Sequence, residues 1–114
     1  MIELPFLIKT KEINETLCIN AIGSMQSILR FICDEYNVTK EDLIKKDKKT
    51  PLPDARHLFF YEAHRQKLGT CENIGKFLDR DHATVLHGMK KIRGYYEYDL
   101  RIKEKVDRMK YMFS

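Results

Sequence analysis

The segment that decides the fold of this chain reads Asn73-Ile74-Gly75-Lys76-Phe77-Leu78-Asp79-Arg80-Asp81-His82-Ala83-Thr84-Val85-Leu86-His87. Its first half has the apolar spacing of a short helix, carried by Ile74, Phe77 and Leu78. Asp79-Arg80 then form a turn, and Asp81 is placed to cap a second helix, whose apolar stripe is Val85, Met89 and Ile92. Two helices joined by a tight turn predict a helix-turn-helix, although helical hairpins also occur in bundles that bind nothing.

A helix-turn-helix places the beginning of its second helix at the base edges in the major groove of DNA. The second helix is predicted to end near Gly94, so it has about 14 residues and a length of roughly 21 Å. That length is compatible with a groove about 12 Å wide. The helix start also has a simpler explanation, because Asp81 can be only an N-cap and His82 only a solvated surface residue.

Two helices are predicted in the first half of the chain. Ser24 offers its hydroxyl as an N-cap for a helix over about residues 25–36, whose apolar positions are Met25, Ile28, Leu29, Ile32 and Cys33. Asn37 ends this helix, and Thr39 then caps a short second one. Acidic residues occupy the first turn of the second helix, where the helix dipole favours anions.

A basic loop separates these helices from a third one. Residues 45–53 contain several lysines and two prolines, and proline lacks the N–H that a helix interior needs. By default such a run is a solubilising surface loop. Asp54 is a candidate N-cap for a helix over about residues 55–67, and Gly69 suits the C′ position that ends it.

The C-terminal part predicts one more helix. Asp99 can cap it, and its apolar set is Leu100, Ile102, Val106, Met109 and Met112. Tyr95, Tyr96 and Tyr98 precede it, and we expect them to pack this helix against the bundle rather than to stack on bases. No segment has the pattern of a strand. The sequence therefore predicts an all-α fold, a small bundle of about six helices that contains the helix-turn-helix.

Composition sets wide limits on function. A chain of 114 residues with a net charge of +4 and a pI of about 8.9 allows one domain and a polyanionic partner without requiring one. No apolar run approaches the roughly 18 residues of a membrane span, and the first residues lack the features of a signal peptide. We therefore expect a cytoplasmic protein.

The sequence offers little for catalysis or metal binding. The cysteines are widely spaced and form no Cys-x-x-Cys pair, so we expect reduced and at least partly buried thiols at Cys18, Cys33 and Cys71. His82 and His87 are five residues apart and do not share a helical face for a metal. No nucleophile–base pair, carboxylate dyad or phosphate loop can be assembled. We expect a protein that is not an enzyme and that needs no cofactor or metal.

Residues 73–87 closely resemble the C-terminal DNA-binding domain of the DnaA family of bacterial chromosomal replication initiators. That family carries an Ile-Gly pair, an Arg-Asp-His-Thr-Thr-Val signature and a Lys-Ile step, which correspond here to Ile74-Gly75, residues 80–85 and Lys90-Lys91-Ile92. The similarity extends upstream to residues 36–43 and Arg56, and it covers about residues 24–96. It implies the Trp-repressor-like helix-turn-helix fold of that domain. It also implies sequence-specific binding of double-stranded DNA at DnaA-box-like sites, in replication initiation or its regulation, or in transcription.

The resemblance implies a role for each matching residue at the helix start. Asp81 would accept a hydrogen bond from a cytosine amino group, and His82 would contact bases that include a thymine. Thr84 would support the DNA backbone or a base. Ala83 stands where the family has its first threonine. It lacks the hydroxyl but keeps a methyl group that can touch a thymine methyl, so the preferred site can differ from the usual DnaA box.

The resemblance also implies contacts to the DNA backbone. Arg80 and Arg56 would clamp phosphates, which fixes the register of the protein without reading sequence. Lys48 or Lys49 lies in the region of the family's minor-groove loop, where the family favours arginine, the better minor-groove reader. The sequence has no Gly-x-x-x-x-Gly-Lys-Ser/Thr loop, so we expect no ATP-driven origin melting by this chain.

We divide the chain into an N-terminal arm of unknown role, residues 1–23, and a DNA-binding domain, residues 24–114. Double-stranded DNA is the expected partner, and other replication proteins are further candidates. We expect a monomer, because the family's sites are asymmetric and no dimerisation heptad is visible. The alternative is a protein-interaction module that keeps the fold without specific DNA binding and uses the arm as its partner surface.

Overall fold

The computed structural model describes the backbone of residues 10–113 and the side chains of residues 23–113. Within that part the chain forms six helices and no strand. They are α1 (Thr10–Tyr36), α2 (Lys40–Ile44), α3 (Leu52–Arg65), α4 (Cys71–Lys76), α5 (His82–Tyr98) and α6 (Leu100–Met112). The predicted all-α class and the helix count are confirmed. None of these helices is long and apolar enough to cross a membrane.

Helix α3 lies at the centre of the bundle, where it contacts every other helix. Its inward face is fully buried and consists of Leu58, Phe59, Phe60 and Ala63. The predicted stripe of α5 is confirmed, since Val85, Met89 and Ile92 are all buried. In α6 the central apolar residues are buried, but the predicted inward positions of Leu100 and Met112 are wrong, because these two side chains are exposed.

Helix α1 begins at Thr10, so the predicted start after Ser24 is wrong. Ser24 lies inside the helix, as does Gly23, whose carbonyl oxygen accepts a hydrogen bond from the Ser27 hydroxyl at 3.1 Å. A glycine inside an exposed helix costs only about 1 kcal/mol relative to alanine, so a continuous helix can contain one. The proposed boundary between residues 23 and 24 therefore falls within α1, and residues 1–9 lie outside the described part.

Helix α3 begins at Leu52, two residues before the predicted cap. Asp54 is in its first turn rather than at the N-cap, and Pro53 is also in that turn. Proline is tolerated there because the first backbone N–H groups of a helix have no intrahelical partner. The two prolines therefore lie at the start of α3, and the helix does not begin after them as predicted.

Helix α3 ends in a Schellman motif that Lys67, and not Gly69, makes possible. Lys67 has a φ of 58°, and no glycine described in the chain has a positive φ. The Lys67 N–H donates to the His64 carbonyl at 2.9 Å and the Leu68 N–H to the Ala63 carbonyl at 3.1 Å. Leu68 packs against the core. The apolar anchor at Leu68 fixes the position of the turn, so the predicted role of Gly69 is wrong.

Helix α5 continues through Gly94 to Tyr98, beyond the predicted end. Asp99 then caps α6 as predicted, because its carboxylate accepts from the Arg101 N–H at 3.0 Å and the Ile102 N–H at 3.4 Å. Tyr96 joins the two helices as predicted, with its hydroxyl donating to Asp107 at 2.8 Å. Tyr98 is 80% exposed, so it does not pack in the bundle.

Cysteines are free in the described part, and Cys33 and Cys71 are partly buried as predicted. The side chain of Cys18 lies outside the described residues. The same part holds no group of three His, Cys, Asp or Glu side chains that could bind a metal.

Two helical glycines provide a matched test of the packing. A Cβ at Gly75 would meet the Arg80 carbonyl oxygen and, at 3.0 Å, a methyl group of Val85, whereas a Cβ at Gly94 would meet nothing within 4 Å. We predict that Gly75→Ala lowers the free energy of unfolding by about 1–3 kcal/mol. Gly94→Ala is expected to raise it by up to about 1 kcal/mol. Urea denaturation of both variants measures the difference, and equal effects would contradict the close approach at Gly75.

Candidate nucleic-acid interface

The turn between α4 and α5 is a second Schellman motif. Asp79 has a φ of 57°, and its N–H donates to the Lys76 carbonyl at 3.2 Å. The Arg80 N–H donates to the Gly75 carbonyl at 2.8 Å, which folds the chain back tightly over the end of α4. This tight return explains why position 75 has no room for a side chain. It also fixes the direction in which α5 begins.

Asp81 is the N-cap of α5, as predicted. Its backbone is extended, and its Oδ1 accepts from the Thr84 N–H at 2.9 Å. The hydrogen bond from Thr84 lowers the pKa of Asp81, so the carboxylate is ionised at neutral pH. A carboxylate has a second oxygen, which leaves acceptor capacity for another donor.

The first turn of α5 presents three side chains to the outside. Asp81, His82 and Ala83 are all exposed, whereas Thr84 is half-buried and Val85 is completely buried. The burial of Val85 anchors the turn from below, so the exposed side chains sit on a fixed backbone. The structure thus brings together four of the residues predicted to touch DNA, those at positions 81–84.

Arg80 and Arg56 bind the same carbonyl groups at the end of α2. Arg80 donates to Lys45 at 2.6 Å and to Ile44 at 2.9 Å. Arg56 donates to Lys45 at 2.6 Å and, through Nε, to Leu43 at 2.6 Å. The last carbonyls of a helix have no intrahelical partner, and cations there are favourable. We call this arrangement of two guanidinium groups on residues 43–45 the α2 clamp.

The clamp gives both arginines a structural role that the sequence pattern did not reveal. Arg56 is only 6% exposed. Burial, and then the nearby charge of Arg80, lower the pKa of Arg56 below its ordinary value. Arginine nevertheless stays protonated at neutral pH. The clamp is therefore a fixed pair of positive charges beside α5, while phosphate contact by either arginine stays a prediction.

The basic loop after α2 lies beside the helix-turn-helix. Lys46 donates from Nζ to the Asp79 carbonyl at 3.1 Å, which links the loop to the turn before α5. Lys48 and Lys49 are exposed. Asp47 accepts from the Lys49 N–H at 2.9 Å, an Asx-type turn that shapes the loop. The aspartate therefore holds the loop backbone in place.

A depression runs between the loop, the start of α3 and the first half of α5. We call it the basic depression; its lining residues are Lys46, Lys48, Pro53, Arg56, His57, Phe60, Arg80, Thr84, His87 and Lys91. No carboxylate is among these residues. A surface of this kind concentrates positive potential, which suits a polyanion.

The sequence pattern did not single out His57, and it brought in His87 only as a candidate metal ligand and Lys91 only as part of the family's Lys-Ile step. Thr84, His87 and Lys91 are spaced at i, i+3 and i+7, so they share one face of α5. This spacing is the feature of the sequence that could have identified His87 and Lys91 as lining residues. His57 packs edge-on to His87, with ring centroids 6.4 Å apart. Burial, and then the charge of Lys91, lower the pKa of His57 to about 4, so it is neutral at pH 7.

The α2 clamp yields a stability prediction. We expect Arg56→Met to lower the free energy of unfolding by about 2–3 kcal/mol, because it removes hydrogen bonds from a charged donor to buried acceptors. Arg93→Met, an exposed position on α5, is the matched control and should change stability by less than about 0.5 kcal/mol. Thermal and urea unfolding measure both variants. Equal stability of the two would contradict a structural role for Arg56.

Comparison with known proteins agrees with this geometry. The profile of the family described as "Bacterial dnaA protein helix-turn-helix" matches residues 25–92, which contain α2 to α4 and most of α5. Three relatives named "Chromosomal replication initiator protein DnaA" match over 87 residues, or 75% of this chain. The identity is 32% for the proteins of Rhodopseudomonas palustris (strain HaA2) and Xanthobacter autotrophicus (strain ATCC BAA-1158 / Py2). It is 31% for the protein of Bacteroides thetaiotaomicron. The chain spans only 17–18% of the length of these relatives. With the family profile covering more than half of its residues, the chain belongs to the bacterial DnaA helix-turn-helix family.

Proposed function

We propose that this chain binds double-stranded DNA sequence-specifically, at sites similar to the DnaA box, and reads the major groove with the first turn of α5. One observation carries the proposal. Asp81, His82 and Ala83 are exposed together at the start of the second helix of a helix-turn-helix, on a turn that buried Val85 anchors. The relatives are named as chromosomal replication initiators. We therefore place the function in replication initiation or its regulation, or in transcription.

The first turn of α5 supplies the base contacts. Asp81 uses one carboxylate oxygen for the cap, and its other oxygen accepts a hydrogen bond from a cytosine amino group. His82 projects from the first residue of the helix and contacts the edge of a neighbouring base. Ala83 offers a methyl group to a thymine. Thr84 lies at the rim of the basic depression and supports the sugar-phosphate backbone.

The basic depression and the loop supply the backbone contacts. A DNA strand that leaves the major groove beside α5 passes over this surface, and the loop at Lys48 and Lys49 meets the adjacent minor groove. Lys46, Lys48 and Lys91 line the depression and provide cationic groups for phosphates. The α2 clamp adds a fixed positive charge, because Arg80 and Arg56 also line the depression, and a phosphate that enters it meets both guanidinium groups. Binding of this kind needs neither a cofactor nor a catalytic step.

Selection of bound oligonucleotides from a random duplex pool tests the proposal. The expected result is one enriched asymmetric motif, bound more tightly than random duplex by at least the roughly 10³-fold that specific readers show. Absence of any enriched motif would overturn sequence-specific binding. That outcome would favour the other function considered, a protein-interaction module that keeps this fold.

His82→Ala tests the base contact. We expect it to weaken binding to the selected duplex by about 1–3 kcal/mol, with a much smaller effect on random duplex. The control is His64→Ala, an exposed histidine in the last turn of α3, which should leave both affinities unchanged. Fluorescence anisotropy titrations give the affinities. Equal weakening on selected and random duplex would exclude a base-reading role for His82.

Lys48→Ala and Lys49→Ala test the backbone contacts. Each variant should weaken binding to selected and random duplexes alike, and each should reduce the slope of log K against log salt concentration by about one for every phosphate that the loop no longer neutralises. Arg30→Ala removes an exposed cation from α1, on a depression lined by α1 and the end of α6. Arg30→Ala should change neither the binding affinities nor the salt slope. An unchanged salt slope in both lysine variants would remove the loop from the interface.

A further inference from the structure

Leu86 is an exposed leucine on the helix that Asp81 caps. Its side chain is 44% exposed, whereas Val85 and Met89 on the same helix are 0% and 2% exposed. Leu86 therefore does not belong to the stripe that packs α5 into the core. A single exposed leucine is common on protein surfaces, so exposure alone assigns no role. The position of Leu86 on α5, relative to His82 and Ala83, indicates a role.

Leu86 continues the exposed face of the first turn of α5. It lies four residues after His82 and three after Ala83, and residues at these spacings are neighbours on one helical face. Both of those residues are exposed as well. Ala83 and Leu86 thus form a short apolar strip, which we call the methyl strip. His87 and Lys90, which are also exposed, flank it with polar groups.

Along α5, the methyl strip lies less than one groove depth from the residues proposed to read bases. The rise from His82 to Leu86 is about 6 Å, which is less than the groove depth of about 8.5 Å. A helix that inserts its first turn therefore carries Leu86 into the same groove. When the helix axis runs along the groove, where base pairs are about 3.4 Å apart, Leu86 lies about two steps from the base that His82 meets.

An apolar group in the major groove has one apolar partner among the base edges, the 5-methyl group of thymine. We propose that Leu86 is a specificity-determining residue that packs on the 5-methyl group of one thymine in the site. This inference rests on the proposed function. It adds a second contact that depends on a thymine methyl group to the one proposed for Ala83, and Leu86→Ala leaves the Ala83 contact in place. The contacts of Asp81 and His82 depend on hydrogen bonds instead.

Replacement of thymine by deoxyuracil removes only that methyl group and so isolates the contact. Each thymine of the selected duplex is replaced in turn, and the affinities of the native chain, Leu86→Ala and Leu86→Met are measured. At one thymine we expect about a fourfold weakening for the native chain, the equivalent of about 0.8 kcal/mol for one buried carbon group. Leu86→Ala should show no weakening at that thymine, whereas Leu86→Met should keep most of it.

Leu100→Ala is the matched control, because Leu100 is 76% exposed on α6, outside the methyl strip. It should keep the native response to uracil, and circular dichroism melts should show that every variant is folded. A thymine-to-uracil response in Leu86→Ala identical to that of the native chain would overturn the inference and leave the proposed function standing. Insensitivity of the native chain to uracil at every position would also overturn the inference and leave the proposed function standing. If no duplex is preferred by the native chain, the proposed function itself fails.

Discussion

The carbonyl oxygens at the end of α2 hold two guanidinium groups, and the geometry of the whole candidate interface follows from that contact. Helix α2 has only five residues, too few to be stable in isolation. Arg56 attaches it to α3, and Arg80 attaches it to the turn before α5. The basic loop begins at the same carbonyls. The positions of the loop, the turn and α5 are therefore coupled through one set of hydrogen bonds.

This coupling has an electrostatic consequence for binding. Two like charges are held close together, which is unfavourable unless acceptors surround them, and the α2 carbonyls provide those acceptors. Lys46 and Lys48 bring further positive charge to the same place, and neutral His57 fills space beneath it. A phosphate that approaches the basic depression meets charges that are already positioned. Little further side-chain entropy is given up at the clamp when DNA binds, because its arginines are ordered beforehand.

Local signals in the sequence predicted much of this structure. Thr39, Asp81 and Asp99 each cap a helix as expected, because an N-cap depends on hydrogen bonds only two or three residues away. The signature at residues 80–85 identified the family for the same reason, since its residues are contiguous. Several of the errors concern glycine. Gly23 and Gly94 lie within helices, because an exposed helix tolerates the modest cost of glycine, and Lys67 takes the left-handed position expected of Gly69.

What the sequence could not provide was the set of contacts between distant residues. Arg80 meets carbonyls 35 and 36 residues earlier in the chain, and the depression unites the loop, α3 and α5. No periodic pattern encodes such contacts, so the sequence predicts Arg56 and Arg80 as phosphate ligands and gives no sign of their structural role. The sequence also did not reveal the exposure of Leu86. Leu86 and its neighbour Val85 are both apolar, and only Val85 belongs to the core.

The most direct test of the central claim is an amide NMR titration of the whole chain with its selected duplex. If the start of α5 reads the bases, the largest shifts will fall on residues 81–87 and on the loop at residues 46–49, while a random duplex will shift the loop but hardly the helix start. Shifts confined to α1 or α6, with residues 81–87 unperturbed by the selected duplex, would contradict the account.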